Sequence, residues 1–255
     1  MSSLMTTIND MIPAVESIDT APLRTMEPPE LLRFAFERFG PRAAIGTSLQ
    51  KTGVILIDMA SRLGIPFRAF FIDTLLNAPE TYELLGEIES RYAPLRVERF
   101  APRPEEIEGL HCSVGQYAHY LARPTCCQVR KVLPLYRAQD TLDVWIAGLR
   151  ADQSEHRRKN TAKAAIEKAH DGRPLLKLNP LLDWTDGQID AYIREHHVPY
   201  NKLYDYESPY GERFFVIGCQ PCHIPVREEC GRRAGKFPWE QGNKECGLHE
   251  NGDGI

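Results

Sequence analysis

The sequence predicts an α/β protein with a mostly parallel sheet and helices on both faces. A strand, a loop and a helix occupy residues 43–62, and the same unit repeats over residues 67–92 before a further strand at 95–100. Strands that alternate with helices in this way pair in parallel and are covered by those helices. At 255 residues, the chain is also long enough for one large domain with a sizeable core.

The individual elements are predicted from short apolar runs and from the positions of proline and capping residues. Pro28 and Pro79 each stand in the first turn of a predicted helix, and Thr185 is a predicted N-cap. A helix is also expected from Cys126 onwards, despite Pro134. The predicted strands are residues 43–47, 67–72, 95–100 and 143–147, and the predicted helices are residues 28–39, 54–62, 79–92, 126–138 and 185–195.

The two ends of the chain differ from this pattern. Residues 1–27 carry Pro13 and Pro22 with little periodicity, so we expect a loosely ordered leader there. From Arg227 to the end, the sequence is polar, basic and punctuated by glycine, which predicts a mobile C-terminal tail over residues 227–255. The α/β domain should therefore occupy residues 28–226.

Charge and hydropathy exclude several classes of protein. A formal net charge of -4 argues against a general nucleic-acid coat or a membrane-surface binder. The N-terminus lacks the basic region of a secretory signal, and no apolar run reaches membrane-spanning length. We therefore expect a cytoplasmic protein with neither nucleic acid nor membrane as a partner, in a reducing compartment where cysteines bind metal or do redox work.

Four of the seven cysteines form two close pairs. They are Cys126 with Cys127, and Cys219 with Cys222. Four thiolates can close a structural zinc site or a 4Fe-4S cluster, and the spacing alone leaves these two alternatives open, with a disulfide less favoured. Cys112 and Cys230 are interpreted as incidental thiols.

A further cysteine, Cys246, stands alone in the predicted tail. Lys244 and His249 lie close to it in sequence and would favour the thiolate, whereas Glu245 opposes it. A lone thiol beside a glycine on a tail can reach a substrate and react, although a random tail cysteine is usually inert.

Small polar residues follow two of the predicted strands. Thr47-Ser48 and Asp73-Thr74 stand at strand ends, where parallel sheets bind ligands and where hydroxyls and free N–H groups suit a phosphate. The alternative is simple N-capping of the following helices. Residues 46–52 are superficially similar to a Walker loop, but Gln50 replaces the glycine required before the lysine, which excludes a P-loop NTPase.

Cations cluster in two further places. The loop over residues 148–154 leads into His156-Arg157-Arg158-Lys159, and arginine forks bind anionic oxygens. A solvated basic loop is the competing interpretation. Lys131 lies one helical turn beyond Cys127, where it could face both a cluster and an anion.

Taken together, these segments resemble the assimilatory adenylyl-sulfate (APS) reductases, relatives of the PAPS reductases in the adenine-nucleotide alpha-hydrolase fold. The resemblance covers most of the chain. It is carried by Thr47-Ser48-Leu49-Gln50, Asp73-Thr74, Pro79-Glu80-Thr81-Tyr82, Cys126-Cys127 with Arg130-Lys131, residues 148–154, Asn179-Pro180-Leu181, Trp184-Thr185, Val198-Pro199-Tyr200-Asn201, Ile217-Gly218-Cys219, Cys222 and residues 244–249.

The resemblance implies a reaction and a set of residues for it. Cys246 would attack the sulfur of APS, expel AMP and become S-sulfocysteine, from which thioredoxin or glutaredoxin would release sulfite. A 4Fe-4S cluster would be held by Cys126, Cys127, Cys219 and Cys222. The nucleotide would lie at Ser48, Asp73, Thr74 and Gly148, and the phosphosulfate near Lys131, Arg150, Arg233, Lys236 and His249. This is the chemistry of sulfate assimilation.

The chain departs from the pattern of that family at several positions. Thr52-Gly53 replaces a Glu-Asp pair, Thr74-Leu75-Leu76 replaces Thr-Gly-Arg, and Lys236 replaces an arginine fork by a point charge. The stretch over residues 206–215 is also longer than is common. Alternatives are therefore PAPS as the substrate, a tRNA-modifying sulfur transferase of the same fold, and an iron-sulfur redox sensor. A homo-oligomer is compatible with the sequence.

Overall fold

A six-stranded sheet organises the protein, in a computed structural model that describes residues 14–240. Its order is β3-β2-β1-β4-β6-β5. All neighbouring strands are parallel except β5 and β6, which form an antiparallel pair at one edge. The strands are β1 (Ala43–Thr47), β2 (Arg68–Ile72), β3 (Glu98–Phe100), β4 (Val144–Ala147), β5 (Ala164–Lys168) and β6 (Pro174–Leu178).

Helices connect these strands and flank the sheet. The helices are α1 (Thr20–Leu23), α2 (Pro28–Phe39), α3 (Lys51–Arg62), α4 (Pro79–Arg91), α5 (Pro104–Val114), α6 (Ala118–Leu121), α7 (Arg123–Cys127), α8 (Leu133–Gln139), α9 (Glu155–Asn160) and α10 (Asp186–His196). A π-helical turn, Gln128–Val132, joins α7 to α8. Short 3-10 helices occur at Val15–Ser17, Gly40–Arg42, Ala151–Gln153, Lys202–Asp205, Gln220–Cys222 and Glu228–Cys230.

Helices cover both faces of the sheet. Alternate residues of a strand point to opposite sides, so neighbouring residues of β1 pack in two different core clusters. Ala43 and Ile45 of β1 pack in one core cluster together with residues of α2, α3, α4 and α10. Ala44, between them, packs in a second cluster that includes Leu135 and Ala138 of α8. The predicted α/β architecture with helices on both faces is confirmed.

The predicted elements are present, with ends that move by a few residues. The edge hairpin of β5 and β6 was missed, because β6 begins with Pro174 and contains Lys177, which are unusual strand residues. Lys177 is nevertheless buried in the sheet. Its ammonium lies 4.6 Å from the ring centroid of Trp145 and 3.3 Å from a carboxylate oxygen of Glu167. A cation over an aromatic face and beside a carboxylate can be buried.

The predicted loosely ordered leader is wrong for residues 14–27. A 3-10 helix and α1 lie in this segment, and Val15 and Leu23 are both buried in the core. Arg24 Nε also donates a hydrogen bond of 3.1 Å to the carbonyl of Ala164 in β5. Residues 1–13 lie outside the described residues.

The predicted mobile tail is wrong for its first part, residues 227–240. Phe237 is fully buried, and its N–H donates a hydrogen bond of 2.9 Å to the carbonyl of Cys222. Ile224 N–H likewise bonds to the carbonyl of Gly235 at 3.0 Å. This segment therefore packs on the domain, and residues 241–255 lie outside the part that the structure describes.

None of the helices in residues 14–240 combines the length and the apolar character needed to cross a membrane.

Two glycines allow the first turn of α3 to approach the ends of β1 and β4. A Cβ on Gly53 would fall well inside the contact distance of Thr47 Oγ1, and one on Gly148 would lie 2.7 Å from Thr52 Oγ1. The sequence departure at Thr52-Gly53 thus has a packing role, because Gly53 leaves room for the side chain of Thr47, and the side chain of Thr52 fills the space beside Gly148.

We therefore expect Gly53→Ala to lower the free energy of unfolding by about 1–3 kcal/mol, the usual effect of overpacking. Gly86→Ala is the matched control, since Gly86 lies on the exposed side of α4 with no atom within 4 Å of an added Cβ. That change should raise stability by about 0.5–1 kcal/mol. Urea unfolding midpoints measure the stability of both variants. Equal changes in the two variants would contradict the close approach of Gly53 to Thr47.

Candidate active site

A cavity opens at the carboxyl ends of β1, β2 and β4. The chain leaves β1 for β2 on one side and later places β4 on the other, so the strand order reverses here. Open parallel sheets bind their ligands at such a point. The lining includes Gly46, Thr47, Ser48, Gln50, Thr52, Gly53, Thr74, Asn77, Lys131, Gly148, Arg150, Asp152, Arg157, Asp186, Phe215, Ile217, Cys219, His223, Arg232, Arg233 and Lys236.

The loop after β1 is held by its own side chains. Thr47 Oγ1 accepts a hydrogen bond of 2.9 Å from the N–H of Leu49, which has a left-handed φ of 56°. Gln50, and neither Thr47 nor Ser48, is the N-cap of α3, and its side chain makes no capping bond. The alternative of simple capping by Thr47-Ser48 is not observed. The first-turn N–H groups of α3 therefore have no side-chain cap, and groups of this kind can bind an anion.

The loop after β2 contains one predicted substrate residue that is not in the cavity lining. Asp73 is fully buried and accepts hydrogen bonds from Tyr82 Oη at 2.8 Å, from Leu75 N–H at 3.0 Å and from Arg99. Burial opposes its charge, but these donors outweigh burial and hold the pKa of Asp73 below its usual value. Asp73 thus shapes the loop from behind the cavity.

This loop also carries a strained residue. Leu75 adopts a φ of 59°, the region that favours glycine, and its side chain is half exposed. Its N–H bond to Asp73 holds that conformation. Next to it, Thr74 does line the cavity, and Thr74 Oγ1 accepts a hydrogen bond of 3.2 Å from Cys219 Sγ. The loop after β2 therefore connects the predicted nucleotide site to Cys219 through the hydroxyl of Thr74.

Cations dominate the charged residues of the lining. Among the described residues, six cationic side chains line the cavity against two carboxylates, Asp152 and Asp186. Both carboxylates pair with Arg150, and Asp186 also pairs with Arg232. Arg150 is further fixed by a hydrogen bond of 2.9 Å from Nη1 to the carbonyl of Trp184. The excess of positive charge suits a ligand with several negative charges.

Arg157 is a cavity residue that the sequence analysis did not single out. It lies on α9, is only 7% exposed, and its N–H is capped by Ser154 Oγ at 3.2 Å. Its neighbour Arg158 is exposed to solvent. In a run of four basic residues, only the turn of the helix decides which one faces inwards, so no sequence signal distinguishes them.

His223 is a second residue that was missed. It is buried against the cavity, with Nδ1 3.2 Å from the carbonyl oxygen of Cys219. Burial, together with the nearby charges of Lys131 and Lys236, lowers the pKa of His223 to about 3, so its imidazole is neutral. Gly218 leaves room for the ring, because a Cβ there would overlap it.

The four paired cysteines come together beside the cavity. Cys126 and Cys127 end α7. Cys219 precedes the 3-10 turn Gln220–Cys222, and Cys222 is its last residue. All four side chains are buried. The π-helical turn that follows Cys127 carries Lys131 into the cavity lining. π-Helical turns of this kind are common at functional sites.

The thiols are in an environment that disfavours their ionised forms. Burial and the neighbouring Cys127 raise the pKa of Cys126 to about 11, and a hydrogen bond with Cys219 together with burial raises the pKa of Cys222. Within residues 14–240, no three metal-binding side chains already lie in ion-holding positions. Four buried sulfurs in one neighbourhood nevertheless fit an iron or zinc site, because a metal deprotonates its coordinating thiols.

The structure thus gathers most of the predicted site residues. Ser48, Thr74, Lys131, Gly148, Arg150, Arg233 and Lys236 line the cavity. Asp73 does not, and Cys246 and His249 fall outside the described residues. Cys112 and Cys230 are exposed, away from the buried group of four.

Known proteins are similar to this chain in sequence and in fold. The chain is similar to an adenosine 5'-phosphosulfate reductase of Allochromatium vinosum, with 37% identity over 91% of this chain and 88% of that protein. One of Pseudomonas aeruginosa is 34% identical over 89% and 84%. A phosphoadenylyl-sulfate (PAPS) reductase structure from Candida auris aligns with a TM-score of 0.63 and 27% identity, over 82% of this chain and 96% of that chain.

A family model described as the phosphoadenosine phosphosulfate reductase domain matches residues 42–225, which run from the start of β1 to just beyond the second cysteine pair. The predicted resemblance is therefore confirmed, and the chain belongs to the phosphoadenosine phosphosulfate reductase domain family.

Proposed function

We propose that this protein reduces adenosine 5'-phosphosulfate (APS) to sulfite and AMP, in the cytoplasm, as a step of sulfate assimilation. The observation that carries the proposal is the cavity itself, where an anion site at the start of α3, an excess of cations and Cys219 share one lining. Relatives named adenosine 5'-phosphosulfate reductase, similar over most of the chain, supply the substrate class.

The first chemical step is assigned to Cys246. Its thiolate attacks the sulfur of APS, so that a sulfur–sulfur bond forms as the bond from sulfur to the phosphate oxygen breaks. AMP leaves with that electron pair, and Cys246 becomes S-sulfocysteine. Negative charge grows on the departing phosphate, and fixed cations such as Lys131 and Arg157 stabilise that charge without having to reorganise.

The second step needs a dithiol protein, thioredoxin or glutaredoxin. One of its thiolates attacks Sγ of Cys246, sulfite leaves with the electron pair of the sulfur–sulfur bond, and a mixed disulfide remains. The second thiol of the reductant resolves that disulfide and restores the Cys246 thiol. The two electrons that reduce the sulfo group therefore come from the dithiol.

Cys126, Cys127, Cys219 and Cys222 would hold a 4Fe-4S cluster. When bound, the cluster supplies a fixed charge distribution beside the cavity and leaves the electron transfer to the thiols. This role suits Cys219, which lies on the cavity lining, and Lys131, whose charge acts on both Cys126 and Cys222.

A second candidate substrate is 3'-phosphoadenosine 5'-phosphosulfate (PAPS). The cationic lining could also accept the additional phosphate, and the related Candida auris structure is of a PAPS reductase. Steady-state rates with both nucleotides distinguish the two, and a clear preference for PAPS would replace APS as the substrate.

Mixing the protein with APS should add the mass of one sulfo group to the peptide that contains Cys246, because that thiol captures the sulfur. Mass spectrometry of the digested protein measures this adduct. Cys246→Ser should form none and release no sulfite, whereas the control Cys230→Ser, at an exposed thiol, should behave as the wild type. An adduct on any other cysteine would refute the role of Cys246.

Cys127→Ser should lose iron and the visible absorption of the cluster, because three remaining thiols cannot close the four-sulfur site. Iron content and the absorption spectrum of anaerobically prepared protein measure the loss. Cys112→Ser, at an exposed position, should keep both. A wild-type protein that binds zinc in a one-to-one ratio would contradict the cluster assignment.

Arg157→Gln should lower kcat/KM for APS by roughly 10- to 100-fold, because a charge-assisted hydrogen bond contributes about 1.5–3 kcal/mol. Arg158→Gln is the matched control, since it removes the same charge from the exposed neighbour. Steady-state kinetics of both variants separate a local contact from a general change in charge. Equal losses in the two variants would show that Arg157 acts only through net charge.

A further inference from the structure

Three large apolar side chains are exposed within five residues of one another. Tyr117, Tyr120 and Leu121 are 60%, 57% and 64% exposed, respectively. The ring of Trp239 lies 5.4 Å from that of Tyr120, is partly buried against the core and borders these exposed side chains. We call these four residues the aromatic patch. A cluster of exposed apolar side chains marks an interaction site more often than a single one does, and tyrosine and tryptophan are enriched at the centres of protein interfaces.

The aromatic patch lies where the described part of the C-terminal segment ends. Trp239 packs on Tyr120, and the next residue, Glu240, forms an ion pair of 2.5 Å with Arg123 Nε. The guanidinium of Arg123 also lies 4.5 Å from the ring centroid of the buried Phe237. The root of the C-terminal segment is therefore fixed to α7, the helix that carries Cys126 and Cys127.

This root lies between the cavity and the aromatic patch. Arg232, Arg233 and Lys236 line the cavity, and three residues further along, Trp239 belongs to the patch. Cys246 is the sixth residue after Glu240, so the two residues lie at most about 20 Å apart when this stretch is extended. The sulfur that a reductant attacks must therefore lie within this distance of Glu240, which brings the reductant close to the aromatic patch.

We propose that the aromatic patch is the docking surface for the dithiol protein that releases sulfite from Cys246. The inference rests on the proposed function, because it needs S-sulfocysteine at that position. The short stretch between Glu240 and Cys246 indicates which protein would bind the aromatic patch. A reductant thiolate must approach Sγ of Cys246 closely enough to form a disulfide as sulfite departs, and the patch is an exposed apolar surface where the described part of the segment that carries this sulfur ends.

Tyr210 is an exposed apolar side chain that lacks this connection. Tyr210 is 81% exposed at the turn of the segment Glu207–Arg213, which the structure closes by an isolated bridge. No described contact links it to Trp239 or Glu240. It is chemically equivalent to Tyr120 and provides a control at a second exposed site.

The test compares Tyr120→Ser and Leu121→Ser, singly and together, with Tyr210→Ser. Each protein is first loaded with APS, and sulfite release is then measured with increasing thioredoxin or, separately, with dithiothreitol. The patch variants should raise the KM for thioredoxin by about tenfold or more, as loss of an interface anchor does. Adduct formation and release by dithiothreitol should not change, because a small thiol needs no docking surface. Tyr210→Ser should match the wild type.

Other outcomes would overturn the inference. An unchanged KM for thioredoxin in the double variant, or an equal rise in Tyr210→Ser, would show that the reductant docks elsewhere. Sedimentation velocity provides a further readout, since a dimer that dissociates only in the patch variants would make the patch an interface between two copies of this chain. Failure of the wild type to form an adduct on Cys246 would defeat the proposed function as well, whereas a normal adduct with unchanged KM would defeat the docking surface alone.

Discussion

The rest of the site depends on the burial of four thiols in one small region. Buried sulfurs that lie close together resist ionisation, as the raised pKa values of Cys126 and Cys222 indicate, and a metal relieves this by replacing their protons. Three separate segments meet around these sulfurs: the helices either side of the π-helical turn, the 3-10 turn at Gln220–Cys222, and the stretch around Phe237 that bonds to Cys222. A metal bound to these thiols would therefore also hold in place the segments that form the cavity wall.

The cavity is built by a different constraint, the reversal of strand order beside β1. That topology brings the loops after β1, β2 and β4 to the same opening, where the first turn of α3 has no side-chain cap. Cations then gather around the opening from the loop after β4, from α9, from the π-helical turn and from residues 232–236. Asp186 pairs with two of them, which holds Arg150 and Arg232 in place while the remaining positive charge faces the cavity.

Much of the fold and of the site was predictable, because the local sequence patterns agree with the tertiary structure. Strand and helix alternation gave the sheet, and the two cysteine pairs identified the sulfur-rich wall. Prediction failed where three-dimensional packing decides the outcome. Lys177 is a strand residue only because Trp145 and Glu167 accommodate its charge, and Arg157 differs from Arg158 only by the turn of a short helix. Asp73 has the composition of a ligand contact, yet Arg99 and the loop that it holds take up its oxygens.

The segment after Cys222 shows the same limit, because its polar composition suggests mobility although one buried phenylalanine fixes it to the domain.

We propose that the four sulfurs together hold one iron-sulfur cluster beside the cavity. Mössbauer spectroscopy of iron-57-labelled protein, prepared without oxygen and combined with iron and sulfide analysis, distinguishes such a cluster from other metal sites. We expect about four irons and four sulfides per chain in a single cluster environment. Protein that contains no iron, or iron without sulfide, would rule out the cluster.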